Sequence, residues 1–351
     1  MKVLQIMAGA KIGGAEAFFE RLCVALANAG TEQHAAIRTH DRRARLLAEA
    51  GIPVTELRFG GMLDFLSGRR LNALARSFQP DVALAWMSRG AAYMPPGPFV
   101  KAARLGGYYD LKYFRRCDHL IGNTPDLRDY LIKQGWPEER TWYLPNFVDD
   151  RALPPQDRAD LDTPNDVPLL LCLGRLHRNK GFDIALQALA ELPGAYLWIA
   201  GEGPERDALT QQAAQLGVTD RVRFLGWRDD VPALLAAADI FLCSSRHEPL
   251  GNMVLEAWAH GIPVAAAASQ GPGQLIDHGV NGLLCPVEDA AALAKAADSL
   301  IKDAALAQDL AGAGNAAYRG QYTEGHVVQQ YQDFFDTITA DRTARNTVGG
   351  D

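Results

Sequence analysis

The chain has no uninterrupted apolar run of about eighteen residues, the length a membrane-crossing helix needs, so no transmembrane span is expected. Its apolar start, M1-KVLQIMAGA, is short and runs at once into a glycine turn and a helical pattern. It reads as a first strand, because a signal peptide needs a longer apolar stretch and a small-residue cleavage site. Cysteine is sparse: Cys23, Cys117, Cys172, Cys243 and Cys285 are scattered, mostly in apolar company, with no paired spacing. That argues against a disulfide framework and for reduced, buried thiols in the cytoplasm. The large basic excess that nucleic acid demands is missing too. So is the dinucleotide fingerprint. After the first strand the glycines are Gly9, Gly13 and Gly14, which do not fit G-x-G-x-x-G, and this opposes an NAD-dependent dehydrogenase.

What is present suits a soluble globular protein of two domains: 351 residues, 48% hydrophobic and 22% charged. The net charge of −7 is unevenly spread, with 20 Lys and Arg against 16 Asp and Glu in residues 1–150, and 15 against 26 in the rest. A mildly basic half can meet anions such as phosphorylated or lipid-headgroup surfaces; an incidental surface imbalance is the alternative.

Strand, glycine turn and amphipathic helix alternate along the chain. K2-VLQIM is followed by a helix from Gly13 to about Gly30, with Phe18, Leu22, Ala25 and Leu26 on one face. Strands are expected at Q33-HAAIRT, I52-PVTELRF and D81-VALAWM, and helices near Arg43–Ala50 and Gly68–Phe78 and after Pro125. Residues 151–168, rich in Pro and Asp, form the clearest linker. Beyond it L169-LLCLG is a continuous apolar strand of the kind buried on both faces of a parallel sheet. Strands at Y196-LWIAG, V222-RFLGW, I240-FLC, Pro263–Ala268 and G282-LLCPV then alternate with helices. Such βαβ units give an α/β architecture of two doubly wound domains. The division is 1–155 and 165–322, then a helix over 323–340 that can return to the first domain, and a disordered tail over 341–351.

The chemistry concentrates in the second half. In H247-EPLGNMVLE, Glu248 and Glu256 bracket a Pro-Leu-Gly-Asn loop that opens a short helix just after the strand I240-FLC. Such a loop offers backbone N–H groups and a helix dipole to an anion, and the carboxylates suit the hydroxyls of a sugar or ribose. Upstream, the strand L169-LLCLG ends in Gly174 and Arg175, with Lys180 five residues on. An arginine clamps a diphosphate bidentately and a lysine adds a point charge. Alone they are ordinary solvated charges; the glutamate loop in the same half makes them a site. G201-EGP reads as a tight turn, and Trp227 and Arg228 follow a strand end where a nucleobase could lie. Asp229 and Asp230 read as N-caps before V231-PALL, not as metal ligands. Gly13 and Gly14 let backbone approach a ligand at the start of the first helix. His247 is the one histidine placed near the chemistry.

With these residues the chain resembles the retaining glycosyltransferases of family 4, which have the GT-B fold of two Rossmann-like domains facing across a cleft. The resemblance covers nearly the whole length and is strongest from Leu169 to Glu288. Glu248 and Glu256 match the family's E-x7-E motif, Arg175 and Lys180 its diphosphate-binding pair, and Gly13-Gly14 its first-domain glycine loop. The resemblance implies that Glu248 faces the donor sugar's hydroxyls and Glu256 binds the ribose. Backbone N–H groups of Gly251, Asn252 and Met253, between Leu250 and Val254, help hold diphosphate and sugar. Gly201, Trp227 and Arg228 complete the donor side. Many members place a histidine after the strand that here reads D81-VALAWMSRG. This chain has Trp86, Met87, Ser88 and Arg89 there, which makes Arg89 the substitute. Where many relatives carry a Gly-Gly turn it has S269-QGPGQLI, which should still form a loop near the ribose and diphosphate.

The implied activity is retaining transfer of a hexose-type sugar from a UDP- or GDP-sugar, without metal or other cofactor, with Glu248, Arg175, Lys180 and Arg89 as the catalytic set. The implied acceptor is a lipid-linked, lipopolysaccharide or other cell-envelope glycan, held by the first half near Arg89, Tyr108 and Tyr109. Basic stretches at D41-RRAR, Arg69-Arg70 and K112-YFRRC suit peripheral contact with an anionic membrane, or an ordinary solvated face. The place of work would be the cytoplasm, at the inner face of the membrane. The competing readings are a non-hydrolysing sugar-nucleotide epimerase or a glycan phosphorylase of the same fold, and a non-catalytic sugar-nucleotide-binding protein.

Overall fold

The computed structural model describes residues 1–10, 13–60 and 64–348, with side chains described as far as residue 341. It divides into two compact units, Met1–Asn146 with the chain from Glu324, and Phe147–Thr323.

The first unit is built from β1 (Lys2–Met7), α1 (Gly14–Asn28), β2 (Glu32–Arg38), α2 (Asp41–Glu49), β3 (Val54–Leu57), α3 (Phe65–Phe78), β4 (Val82–Trp86), α4 (Met87–Ala92), β5 (Val100–Leu105), β6 (His119–Gly122), α5 (Pro125–Lys133) and β7 (Thr141–Tyr143). Its seven strands are parallel in the order β3-β2-β1-β4-β5-β6-β7. The order reverses between β1 and β4, so the loops leaving these two strands diverge and open a crevice at their carboxyl ends.

The second unit repeats the plan with β8 (Leu169–Leu173), α6 (Phe182–Ala190), β9 (Tyr196–Ala200), α7 (Arg206–Gln215), β10 (Val222–Gly226), α8 (Val231–Ala237), β11 (Ile240–Cys243), α9 (Asn252–Ala259), β12 (Val264–Ala267), α10 (Gln270–Leu275), β13 (Leu283–Cys285), α11 (Ala290–Lys302) and α12 (Ala304–Gln321). The order β10-β9-β8-β11-β12-β13, again all parallel, puts its reversal between β8 and β11. All five residues of β8 are buried, with successive side chains on opposite faces. Leu170 and Cys172 join α6 and α11 in one core. Leu169, Leu171 and Leu173 join α8 and α9 in the other.

Helix α13 (Glu324–Val348) belongs to the first unit. Its Tyr331 hydroxyl accepts from Arg104 Nε at 2.7 Å. Arg104, on β5, is 2% exposed; its guanidinium also donates to Asn146 and lies over the rings of Phe18 and Trp86 at 4.5 and 5.2 Å. A charge this deep is kept by hydrogen bonds and ring faces. Trp86 passes the polar thread on to Gln5 (2.9 Å), and Gln5 to Gln33 (2.9 Å).

Some elements depart from the sequence pattern. Residues 341–348, expected as disordered tail, continue α13, while residues 349–351 lie outside the described set. The segment S269-QGPGQLI, expected as a loop, winds into α10 with Pro272 near its start, where a missing N–H does no harm. Asp289 and Asp303 cap α11 and α12 by accepting from Ala292 and Leu306 N–H groups. The five cysteines are buried free thiols. Among the described residues no helix is long and apolar enough to cross a membrane.

Candidate functional site

In the second unit the reversal point brings together two loops, one after β8 and one after β11. The first carries Arg175 and a short 3-10 turn, Arg178–Lys180, closed by Gly181 at φ 63°. The second carries Glu248 and ends at Gly251, φ 80°, which caps α9. Backbone bonds lock the loops: Arg246 and His247 N–H groups donate to Asn179 O at 2.8 and 3.1 Å, and Ser244 Oγ to Lys180 O at 3.0 Å. No side chain fits at Gly181, where a Cβ would stand 2.1 Å from Ser244 O.

Across this seam the Lys180 ammonium donates to Glu248 Oε2 and lies 3.5 Å from Met253 Sδ. Glu248 is 9% exposed, and its other oxygen accepts from Gly251 N–H at 3.3 Å. Its position is therefore fixed twice, by a cation and by the start of α9. The start of a helix is the positive end of its dipole, so the N-terminus of α9 adds positive potential here. Glu256 stands one turn on, half-buried on the same helical face as Asn252. Leu250 is half-buried, while Met253 and Val254 are buried in the core beneath.

Arg175 is exposed, and among the described residues no ion pair or side-chain hydrogen bond holds it. Glycines let its loop pack backbone against backbone. A Cβ at Gly201 would meet Gly174 O at 1.8 Å, and one at Gly203 would meet Leu176 O at 2.2 Å. Gly201 thus serves close approach of two strand-end loops. A Cβ at Gly174 would touch the Lys180 stem at 3.0 Å.

Sequence reasoning missed the brace behind this site. Arg246 forks onto Asp183 at 2.7 and 2.6 Å and reaches Glu288 at 2.7 Å. Burial pushes the Asp183 carboxyl up, but the Arg246 bonds and charge outweigh it and hold the group below its usual 3.8. The cue was available: a second arginine in the S244-SRHEPLG loop and an aspartate in the first turn of α6. Also missed was Ser269, 4% exposed, whose buried hydroxyl has no hydrogen-bond partner among the described residues. An orphaned polar atom of that kind is unusual. Behind it, Gly271 N–H donates to Glu248 O at 2.7 Å, and a Cβ on Gly271 would lie 2.4 Å from the Leu250 carbonyl carbon.

Other expected residues are placed differently. Asp230 occupies the N-cap position of α8 without a side-chain cap bond. Its carboxylate instead takes Arg228 at 2.7 and 2.6 Å, because a guanidinium two residues away is a stronger donor than a backbone N–H. Asp229 accepts from Trp227 Nε1 at 3.0 Å, and Trp227 is 59% exposed. Arg228 also donates to Gln156 at 2.7 Å. The His247 side chain is exposed.

In the first unit the space a Gly13 side chain would fill is taken by Glu16, whose Oε2 would lie 2.3 Å from a Cβ there. Glu16 Oε1 accepts from Ala10 N–H at 2.7 Å. Gly14, the first residue of α1, is exposed, and Lys11 and Ile12 of the same loop lie outside the described residues. Tyr108 donates to Asp126, and burial together with that carboxylate pushes its phenol up to about 12. Tyr109 is half-buried; burial and the nearby Glu16 raise it as well. Arg89 is on α4, which begins with Met87 in the left-handed region at φ 59°. It lines a cavity of about 770 Å³ with Arg69, Tyr113 and Arg116. In the basic stretch D41-RRAR, Arg43 is not on the surface: it is 1% exposed and paired with Glu20 at 2.9 Å.

Two doubly wound parallel units, with cationic and carboxylate loops meeting at a reversal point, are the architecture of GT-B glycosyltransferases. Comparison with known proteins makes the assignment specific. Residues 155–317 match the model for glycosyl transferases group 1, and residues 12–152 that for glycosyltransferase family 4. The lipopolysaccharide core biosynthesis glycosyltransferase LpsE of Rhizobium meliloti (strain 1021) is 41% identical over 336 residues, 94% of this chain and 98% of that protein. LpsD of the same organism, with the same description, is 37% identical over 97% of this chain and 100% of that protein. Among solved structures, HepE of Anabaena in complex with UDP superposes with a TM-score of 0.83 at 24% identity, covering 96% of this chain and all of that one. The chain belongs to glycosyltransferase family 4.

Proposed function

We propose that this protein transfers a hexose-type sugar, with retention, from a UDP- or GDP-linked donor to a hydroxyl of a lipopolysaccharide core or related envelope glycan. The observation that carries this reading is the Lys180–Glu248 contact at the reversal point of the second unit, beside the N-terminus of α9. Support for the acceptor class comes from the near full-length likeness to two lipopolysaccharide core glycosyltransferases. For the donor it comes from the HepE structures, which hold UDP or UDP-glucose.

The donor diphosphate lies between the α9 N-terminus and the cations of Arg175 and Lys180. Its charge competes with Glu248 for the Lys180 ammonium, and as the lysine turns to phosphate the Glu248 carboxylate is released to accept from sugar hydroxyls. Glu256 binds the ribose. In the reaction the bond from the anomeric carbon to the diphosphate oxygen breaks and a bond from that carbon to the acceptor oxygen forms on the same face. The acceptor proton passes to the departing diphosphate oxygen. Negative charge on that leaving group is the quantity to be stabilised, and fixed cations with a helix terminus do so without reorganising. Arg175 and Lys180 supply this charge without a divalent ion, so activity is expected to survive EDTA. The enzyme works at the inner face of the cytoplasmic membrane, where nucleotide-sugar and growing glycan meet.

A thermal-shift panel of UDP, GDP and ADP, each with and without sugar, followed by NMR of the product's anomeric configuration, tests the reading. A ligand of the native state raises its melting temperature. Nucleotide-sugar binding with neither transfer nor hydrolysis would replace the enzyme by a non-catalytic binder, and an inverted anomer would remove retention.

A further inference from the structure

Lys180 is carried on a turn whose three carbonyls are all bonded from one neighbouring segment, the one that leads into Glu248. Arg178 O accepts from Arg246 Nη1 at 3.0 Å. Asn179 O accepts from the Arg246 and His247 N–H groups at 2.8 and 3.1 Å, and Lys180 O from Ser244 Oγ at 3.0 Å. Arg246 makes two of these four bonds, and its guanidinium goes on to fork onto Asp183 in the first turn of α6. Its Nε reaches Glu288, in the loop after β13, at 2.7 Å. One side chain thus ties together the Lys180 turn, the helix that follows it, the Glu248 loop and the loop after β13.

The same bonds argue against the plainer role for a cation on this seam, that of a third phosphate ligand. A guanidinium has five N–H donors, and four of those on Arg246 are taken. Its charge is matched by two carboxylates, and its side chain is only 19% exposed. Arg175 is the opposite case, exposed and without an ion pair among the described residues. Glu288 adds a sign that the arrangement is held under strain. Its backbone is left-handed at φ 66°, a region that side chains seldom occupy. Among the described residues its side chain makes no bond other than that to Arg246. Strain of this kind persists where surrounding contacts over-determine the conformation.

We propose that Arg246 is a positioning residue for the transfer reaction. It touches neither donor nor acceptor and acts through Lys180, holding that ammonium where charge develops on the departing diphosphate. The inference rests on the proposed donor site and adds the residue that sets its geometry. A lysine at position 246 keeps the charge but has no planar fork, so it cannot hold the turn, α6 and the β13 loop together. A displacement of about 1 Å at a reacting centre can cost roughly a hundredfold in rate.

The test is a double-mutant cycle on turnover of the nucleotide-sugar, because a residue that acts through another loses its effect once the other is gone. Arg246→Lys is expected to lower kcat about tenfold to a hundredfold, with a smaller change in KM. Added to Lys180→Ala it should change kcat by less than about twofold, while added to Arg175→Ala it should keep most of its effect. Glu288→Gly suits a left-handed backbone and removes a single arm, so it serves if Arg246→Lys does not fold. It should show the same pattern at smaller size. An equal loss in every background would make Arg246 a general structural support or an independent phosphate ligand, and would overturn the proposal. So would a wild-type kcat in both variants. A wild type that binds UDP or GDP but turns over no nucleotide-sugar removes the proposed reaction, and the cycle is then read on nucleotide dissociation constants. There, a weakening by Arg246→Lys that vanishes without Lys180 upholds the positioning role, and one that is equal with and without Lys180 overturns it.

Discussion

Lys180 and Glu248 are 68 residues apart in sequence and joined by a direct ammonium–carboxylate bond. Both side chains are largely withdrawn from water, at 20% and 11% exposure. The pair exists because β8 and β11 are neighbours at the point where strand order reverses, so the loops that follow them share one seam.

Replacing the lysine separates its chemical role from its structural one. Lys180→Ala is expected to lower donor turnover by about a hundredfold to a thousandfold, the range seen when a donor to developing negative charge is removed. The stability loss should be modest, about 1–3 kcal/mol for the stranded carboxylate. Steady-state kinetics beside urea unfolding checks both. Unchanged turnover in a folded variant would defeat the site assignment.

The loop that carries Glu248 depends on a glycine outside it. Gly271→Ala puts a methyl group 2.4 Å from the Leu250 carbonyl carbon and 2.6 Å from Gly251 N, both backbone atoms that cannot swing aside. The variant should lose about 1–3 kcal/mol of stability, the usual cost of overpacking. It should also raise the KM for the nucleotide-sugar, since α10 must back away from the N-terminus of α9. Melting curves and donor titrations measure the two effects.

Acid stability should report the Asp183–Arg246 brace. The folded carboxyl lies below its ordinary 3.8, so its contribution is present above that value and is lost as pH falls through the lowered pKa. Asp183→Asn removes that contribution at neutral pH and flattens this part of the acid limb. Urea midpoints at pH 7 and pH 3 should therefore differ less in the variant than in the wild type. An identical difference would mean that the brace carries no linked proton.

Docking of the C-terminal helix depends on a buried arginine. Tyr331→Phe leaves Arg104 Nε without its 2.7 Å acceptor in a site closed to water, and a loss of about 1–3 kcal/mol is expected. UDP binding, which the proposed site locates in the second unit, should not change. Chemical unfolding and calorimetry together make the comparison.

How much of this was visible in the sequence follows from which signals are local. Strand β8 was legible because five consecutive apolar residues buried on both faces can hardly be anything else. The loop at Gly251 was legible because glycine, two carboxylates and a helical pattern stand within ten residues of one another. Strand β5 was not, since Lys101 and Arg104 interrupt its apolar pattern, and only the ring faces of Phe18 and Trp86 explain a buried arginine there. The Asp229-Asp230 pair resembled a cap because the sequence does not tell which nearby donors its oxygens will take, and here Trp227 and Arg228 win over a backbone N–H. The contact between Lys180 and Glu248 is of the same sort. Each residue could be picked out alone, but their meeting follows from strand order.

A nucleoside diphosphate bound at this seam is expected to take Lys180 away from Glu248. Titrating UDP and GDP by calorimetry into the wild type, Lys180→Ala and Glu248→Gln tests it most directly. One of the two nucleotides should bind the wild type at one site per chain, and Lys180→Ala should weaken it roughly tenfold or more, a charge-assisted bond's worth. Glu248→Gln, which frees the lysine in advance, should bind the sugar-free nucleotide at least as tightly while failing to turn over the nucleotide-sugar. If neither nucleotide binds, or if Lys180→Ala binds like the wild type, the donor site does not lie at this seam.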